Sequence, residues 1–403
     1  MSGLLDKVFR PLESSSSSGF MDFFTGFGGG SKSIVTPKRA LTIPAFYNAV
    51  DQLSNDIAKL PKAVHIKEGV NRRKYVEHPL NYLISTQPNP MMTAFDFWKL
   101  VVVLVILRGN CYVLVNRSNN GMEESLVIHQ ESDDVDVLKD KVNNQLFYKI
   151  KDKVFNSSDI LHFKGFSLDG VMGIGVIKWA AHNLGVNLDA QEYQRDIYSD
   201  RGLGYGVIES DKSIEVSNKK IISEGFTSKL TEKNKFKVPV LDEGLKYKPI
   251  TITPAEAQFL ETNKNSVVEI ARWLNIAPHK IKDLSRGTYS NIEVQNIEHV
   301  QDSLIPWISR IEQELDRKLF FVNDGSEERQ YVKFNEKVLL RGDMKARGEF
   351  LTRMIYAGVM TRNEARALED LDPLEGLDQP LTPANMEMME FMLAKNKKEL
   401  EDE

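Results

Sequence analysis

Arg286, Gly287 and Tyr289 fall within Asp283–Val300 (DLSRGTYSNIEVQNIEHV), where a short polar, basic loop runs into a long helical pattern. A catalytic loop, a ligand clamp and a pore constriction would each place an arginine, a glycine hinge and a tyrosine there. Other stretches offer reactive residue types. Residues 170–175 (GVMGIG) lack the Gly-Lys-Ser/Thr ending of a phosphate loop and the glycine spacing of a dinucleotide site, so they read as a tight strand-to-helix turn. GFSLDG, just before, is not a nucleophile elbow. Asp159, His162 and Asp169 are acid–base types, yet one histidine between apolar neighbours reads as a packed strand residue. The seven histidines form no zinc-type pair, and Cys111 is the single cysteine, so neither a disulfide nor a thiolate cluster is possible. No cofactor, metal site or enzymatic activity is expected.

Charge narrows the alternatives. The 403-residue chain carries a formal −5, so it is not a polycation as a whole. Nine lysines against six acids lie between residues 211 and 248, and five Lys/Arg against two acids between 264 and 290. Such a region attracts phosphate without reading sequence, although a solvated helix face would look the same. One copy would bind DNA weakly; a symmetric ring would multiply it. The apolar run Val101–Leu107 is far short of the ~20 residues that span a bilayer. MSGLLDKVFR lacks a signal-peptide pattern, so a cytoplasmic product is expected.

The elements that position these residues alternate between helix and strand. Residues 1–40 are rich in Ser and Gly and read as a flexible arm, with Phe20, Phe23, Phe24 and Phe27 either docking on a partner or incidental. Order is expected from Thr42, with an amphipathic helix stopped by Pro61. AVHIKE reads as a strand, HPLNYLIS as a short helix, and Thr93 opens another helix that ends at a RGN turn before the strand CYVLVNR. Residues 124–165 read as a meander, and a helix is expected from about Val176 to Asp200. Lysine-rich Ser217–Thr231 reads as a helix, and KVPVLDEGLKYKPITI as a hairpin turning near Glu243-Gly244. Capping boxes at Thr253–Glu256, Ser266–Glu269 and Ser290–Glu293 predict three consecutive helices, the third kinked by Pro306. LFFV and QYVKF read as a strand pair. A helix capped by Gly358 and a capping box at Thr361–Glu364 complete the ordered pattern.

Several stretches, in order, resemble the portal proteins of tailed bacteriophages of the Hong Kong 97 type. They are IPAFYNAVDQLSNDIAKLP, HPLNYLISTQPNPMMTAFDFW with LRGNCYVLVNR, DILHFKGFSLDGVMGIGVIKWA, the span from TPAEAQFLETNKN to SRIEQEL, and AGVMTRNEARALEDLDPLEG, together covering roughly residues 41–380. The family often has serine where Gly175 stands. The resemblance implies an α+β portal fold assembled as a ring, dodecameric, at one capsid vertex. It implies an arm at 1–40, a wing at 41–216 and 294–340, a stem helix at 217–236, a clip at 237–266, a second stem helix and tunnel loop at 267–293, and a crown at 341–403. The tunnel loop would be Leu284, Ser285, Arg286, Gly287, Thr288, Tyr289, Ser290 and Asn291, with Arg286 facing either the channel or an intersubunit acid such as Asp283 or Glu293. Lys219, Lys220, Lys229, Lys280 and Lys282 would be the basic stem and channel residues. Asp242, Glu243, Lys246 and Lys248 would meet partners at the clip. Implied partners are double-stranded DNA bound without sequence preference, the terminase, the head-to-tail adaptor, and the major capsid and scaffold proteins, with no membrane. Synthesis in the host cytoplasm and residence in the virion follow. A capsid or adaptor subunit, or an accessory enzyme acting on nucleic acid, is the competing class.

Overall fold

Phe46, Val50, Leu53 and Ile57 recur at helical spacing, and all four are buried. They anchor the first long helix of a computed structural model that describes residues 9–11, 34–69, 71–131, 134–199, 206–210, 219–222, 224, 245–249, 266–283, 292–320, 328–340, 344–369 and 371–381. Two units are distinguished, Met1–Glu336 and Lys337–Glu403.

In the first unit the described order is β1 (Phe9–Pro11), α1 (Pro37–Ala40), α2 (Pro44–Ala58), β2 (Lys62–Glu68), β3 (Asn71–Lys74), α3 (Leu80–Ser85) and α4 (Ala94–Arg108). β4 (Asn110–Arg117), β5 (Glu123–His129), β6 (Val135–Asp140), β7 (Leu146–Ile150), β8 (Lys153–Asn156) and β9 (Ile160–Lys164) follow. Then come β10 (Phe166–Ser167), β11 (Gly173–Ile174), α5 (Val176–Trp179), α6 (Ala181–Ser199), β12 (Gly206–Ser210), β13 (Leu245–Pro249), α7 (Ile292–Glu298), α8 (Ile305–Leu319) and β14 (Glu328–Phe334).

Three sheets, ordered β5-β4-β9, β1-β6-β7-β8 and β14-β2-β3, form the body. The first two meet over Tyr112, Val135, Val137, Tyr148, Ile160 and Met172. α4 is a buried helix, which accounts for its unbroken apolar run; no helix among the described residues is long and apolar enough to cross a membrane. Its Trp98 sets its ring edge-on to Phe163 of β9 and Phe334 of β14, and its Nε1–H donates to the Ile84 carbonyl at 2.9 Å.

α8 lies along two sheet edges and satisfies them with its acids. Glu312 accepts from the Phe334 N–H at 2.7 Å, Asp316 from Val332 N–H at 2.8 Å, and Glu314 from His162 N–H at 2.9 Å. Carboxylates thus stand where another strand would otherwise pair, the usual hazard of an open edge. Lys318, with its side chain 5% exposed, donates to Ile160 O at 2.9 Å and completes the seam.

The glycines of GVMGIG do serve a tight turn, and the reason is a backbone crossing. A Cβ on Gly173 would lie 2.1 Å from the Gly109 carbonyl, and one on Gly175 would lie 2.6 Å from that of Leu107. Asn110 holds the crossing, accepting from Gly173 N–H at 2.7 Å and donating to Gly173 O at 2.8 Å.

Several expectations need correction. Residues 124–165 are not one meander: β6-β7-β8 is, but β9 returns to pair with β4. Order precedes Thr42, because α1 begins at Pro37 with a Thr36 cap, and Phe9–Pro11 pairs with Leu138–Asp140. The four arm phenylalanines lie outside the described residues. The helix from Val176 is interrupted at Ala180. QYVKF pairs with Lys62–Glu68, and of the LFFV expected beside it Leu319 ends α8 while Phe321 and Val322 lie outside the described residues. Leu245–Pro249 pairs with Gly206–Ser210, a partner the hairpin reading did not foresee. Such long-range pairings depend on which faces the core buries, which local patterns do not encode.

In the second unit α9 (Met344–Tyr356) ends at Gly358 with φ +70°, and α10 (Arg362–Leu368) opens with the expected capping box. Thr361 N–H donates to Glu364 Oε2 at 2.8 Å, while Glu364 N–H donates to Thr361 Oγ1 at 3.1 Å.

Candidate functional site: the flanks of residues 284–291

Leu284, Ser285, Arg286, Gly287, Thr288, Tyr289, Ser290 and Asn291 lie outside the described residues; both flanks are described. Before the loop, a helical segment at 266–273 leads to Asn275 with φ +48° and to a 3₁₀ turn, Pro278–Ile281. After it come α7, a π-helical segment His299–Leu304, and α8.

Pro306 is the cause of the irregularity, but not as the mid-helix kink its position suggested. It sits at the second residue of α8, and the π turn precedes it. Proline has no N–H to give the carbonyl four residues back, and its ring crowds that carbonyl. That carbonyl belongs to Asp302, and the Asn275 side chain donates to it at 2.8 Å.

A second link runs parallel. His279 Nε2 lies 3.3 Å from Asn296 Oδ1. The pairs 275/302 and 279/296 step inward on opposite flanks, so they hold the two ends of the intervening segment together. Ile281 is buried, in the turn that packs on α2. On the far side His299 Nε2 donates to Asp56 Oδ2 at 3.0 Å, both side chains almost fully buried. Burial alone would raise the Asp56 pKa, but hydrogen bonds from His299, Lys59 and Gln52 outweigh it and bring the carboxyl down to about 2. His299 Nδ1 is buried and has no hydrogen-bond partner among the described residues.

The expected basic residues occupy distinct settings. Lys219 and Lys220 are exposed on a helical segment, with Lys220 3.9 Å from Glu224. Lys229 lies outside the described residues. Lys280 is half-buried and Lys282 exposed in the 3₁₀ turn and its cap. Burial lowers the Lys280 pKa, against which Asp56 pulls upward. At the expected clip, Lys246 and Lys248 are exposed on β13, and Lys248 reaches Glu209 of β12 at 3.3 Å. Asp242 and Glu243 lie outside the described residues.

Elsewhere, His162 is the packed strand residue its neighbours imply: its ring contacts Asn110 and Tyr148, and burial, with nearby cations, pushes its pKa down to about 3. Among the described residues no group of His, Cys, Asp or Glu is placed to hold a metal ion. The anchors Asn275, Asn296, His279 and His299 were missed from sequence. Only Pro306 carried a signal, since it announces a carbonyl in need of another donor.

Antiparallel sheets, an edge-sealing helix and two side-chain links between the flanks of residues 284–291 define a mixed α+β scaffold. The family model described as phage portal protein matches residues 44–370. The portal protein of Enterobacteria phage HK97 is 29% identical over 365 residues, covering 89% of this chain and 85% of that one. A crystal structure of an HK97-family phage portal protein from Corynebacterium diphtheriae superposes with TM-score 0.57 at 17% identity, over 78% of this chain and 99% of that one. A chain in the neck of a native gene transfer agent particle, computed with C12 symmetry, gives TM-score 0.53 at 19% identity, over 89% and 100%. The chain belongs to the phage portal protein family.

Proposed function

We propose that copies of this chain form a ring, dodecameric, at one capsid vertex, through which double-stranded DNA is packaged and ejected. The observation that carries this reading is the pair of links, Asn275–Asp302 and His279–Asn296, at the base of residues 284–291. A projecting loop that meets moving DNA needs a fixed base and weak, numerous contacts rather than a reactive centre. Ser285, Arg286, Thr288 and Tyr289 are suited to such contacts. Family membership and the twelvefold neck of the structural relative support the ring. They disfavour an adaptor or capsid subunit and an accessory enzyme.

The clip, which would meet first the terminase and later the head-to-tail adaptor, is best drawn from Gly206 rather than from residue 237, because β12 pairs along its whole length with β13. Lysine-rich residues 217–236 would then lie between its paired strands. The ring would contact the major capsid and scaffold proteins during assembly in the host cytoplasm and remain in the virion.

Light scattering and axial images of the purified particle test the ring; a monomer at high concentration would refute it. Arg286→Ala and Tyr289→Ala should leave the ring intact and lower the yield of DNA-filled heads. Unchanged yield in both would sink the role of the loop. Lys246→Glu with Lys248→Glu should weaken capture of terminase and adaptor; unaltered capture of both would contradict the clip assignment.

A further inference from the structure

The sheet β14-β2-β3 sorts its charges by face. Register sets Arg329 against Lys67 and Lys67 against Arg72, and sets Tyr331 against His65 and His65 against Lys74. Paired residues point to one side and the side alternates along a strand, so Lys333 joins them. Five cations and a stacked Tyr331–His65 pair, ring centroids 5.6 Å apart, therefore share this face. On the opposite face lie the buried Val64, Ile66, Val332 and Phe334, together with both acids, Glu68 and Glu328.

Partnering follows the same division. Arg73, on the acid-bearing side, pairs with Glu68 at 2.8 Å. On the cationic face Lys333 pairs with Glu312 at 3.1 Å and Arg329 acts electrostatically on Asp316, whereas Lys67, Arg72 and Lys74 have no acid partner among the described residues. Arg72, Lys74, Arg329 and Lys333 are exposed, and a shallow cleft beside α8, lined also by Glu312 and Asp316, opens onto the Tyr331–His65 pair. Like charges set directly opposite on neighbouring strands repel. A row of Arg329, Lys67 and Arg72 leaves that repulsion for a polyanion to relieve.

We propose that this face is a second contact for the phosphate backbone of double-stranded DNA, blind to sequence and separate from residues 217–236 and 284–291. Neighbouring strands stand about 4.8 Å apart, and one backbone of a duplex carries a negative charge per about 3.4 Å of its axis, so one backbone can engage the whole row. Guanidinium groups at both edges of the sheet fork onto phosphate oxygens. An acidic peptide seated over the ring pair would meet Glu312 and Asp316, which line the cleft there and repel carboxylate side chains, whereas a phosphate backbone can follow the row Arg329, Lys67 and Arg72 beside it. The proposal stands on the sheet alone and not on the axial channel.

The test is a salt titration of random-sequence duplex DNA binding to the assembled protein and to an Arg72→Glu/Arg329→Glu variant, with light scattering on both. Affinity should fall at least tenfold at low salt, and the slope of log K against log salt should shrink by about 1.8 for two lost phosphate contacts. Unchanged affinity and slope would overturn the proposal. So would tighter binding of a poly-glutamate peptide of matched charge, which would assign the face to an acidic protein partner. Lost assembly with DNA affinity per chain retained would overturn it in favour of a subunit contact. Should the reversal fail to fold, Arg72→Gln/Arg329→Gln is read the same way with a smaller loss of affinity. A parallel Lys219→Glu/Lys220→Glu arm separates the two readings: binding lost there and kept in the sheet variant would refute this face and leave the channel standing.

Discussion

The side-chain amide of Asn275 donates to the main-chain carbonyl of Asp302 at 2.8 Å, and Asp302 is the residue whose carbonyl Pro306 leaves without its helical donor. A defect written into one helix is thus repaired from another segment, and the repair ties together the chain on either side of residues 284–291.

Asn275→Asp keeps the tolerance for positive φ and removes the donor. It should lower stability by about 1 kcal/mol, the usual worth of such a bond. In a Pro306→Ala background the loss should shrink, since an α-helical donor becomes available to Asp302. A double-mutant cycle by thermal denaturation measures the coupling; strict additivity would refute the repair.

The Asp56 carboxyl, held at about 2 against an ordinary 3.8, is stabilising in its charged form. Its contribution is complete above the ordinary value and is lost as pH falls through about 2. The shift corresponds to about 2 kcal/mol. Asp56→Asn should therefore cost stability at neutral pH and flatten the acid limb of the stability profile between pH 4 and pH 2.

Asp316 acts with the opposite sign. Burial, despite the bond from Val332 N–H, raises its carboxyl from 3.8 to about 6. The folded chain binds this proton more tightly than the unfolded one, so stability falls as pH rises from 4 to 6. The residue is partly open to water, and screening trims the penalty to about 1 kcal/mol above pH 6. Asp316→Asn retains an acceptor for Val332 and should be neutral or stabilising at pH 7, with no gain at pH 4.

Gly173→Ala should be severely destabilising, by about 3 kcal/mol or more, because both neighbours of the new methyl are backbone, Gly109 O at 2.1 Å and Gly165 N at 2.8 Å. Gly175→Ser would set its Cβ 2.6 Å from the Leu107 carbonyl and should also cost stability. Gly348→Ala lies in α9 with open space around it and should stabilise by up to about 1 kcal/mol. Comparing melting temperatures of the three variants checks the geometry directly.

Much of the local structure was legible because its causes are local. Thr93 and Thr361 cap helices through bonds within three residues, Gly358 ends one at positive φ, and the stripe of Phe46, Val50, Leu53 and Ile57 names its buried face. The ordered run of motifs was enough to place the family. Non-local partners were not legible. Nothing adjacent to QYVKF points to AVHIKE, and nothing in LDEGLKYKP points to Gly206–Ser210.

By itself, then, the sequence determined the helix starts at Thr93 and Thr361, the stop at Gly358, the lysine-rich composition of residues 211–248, and the membership that follows from motif order. Tertiary structure decided what those elements touch: the Asn275–Asp302 repair, the buried Asp56–His299 pair, the edge bonds of α8, and the gathering of Arg329, Lys67 and Arg72 into one row. The physical reason is range. Capping and periodicity are satisfied within a turn or two of chain, whereas the freed carbonyl takes its donor from 27 positions away, the buried carboxylate its partner from 243, and the cation row joins strands from opposite ends of the unit.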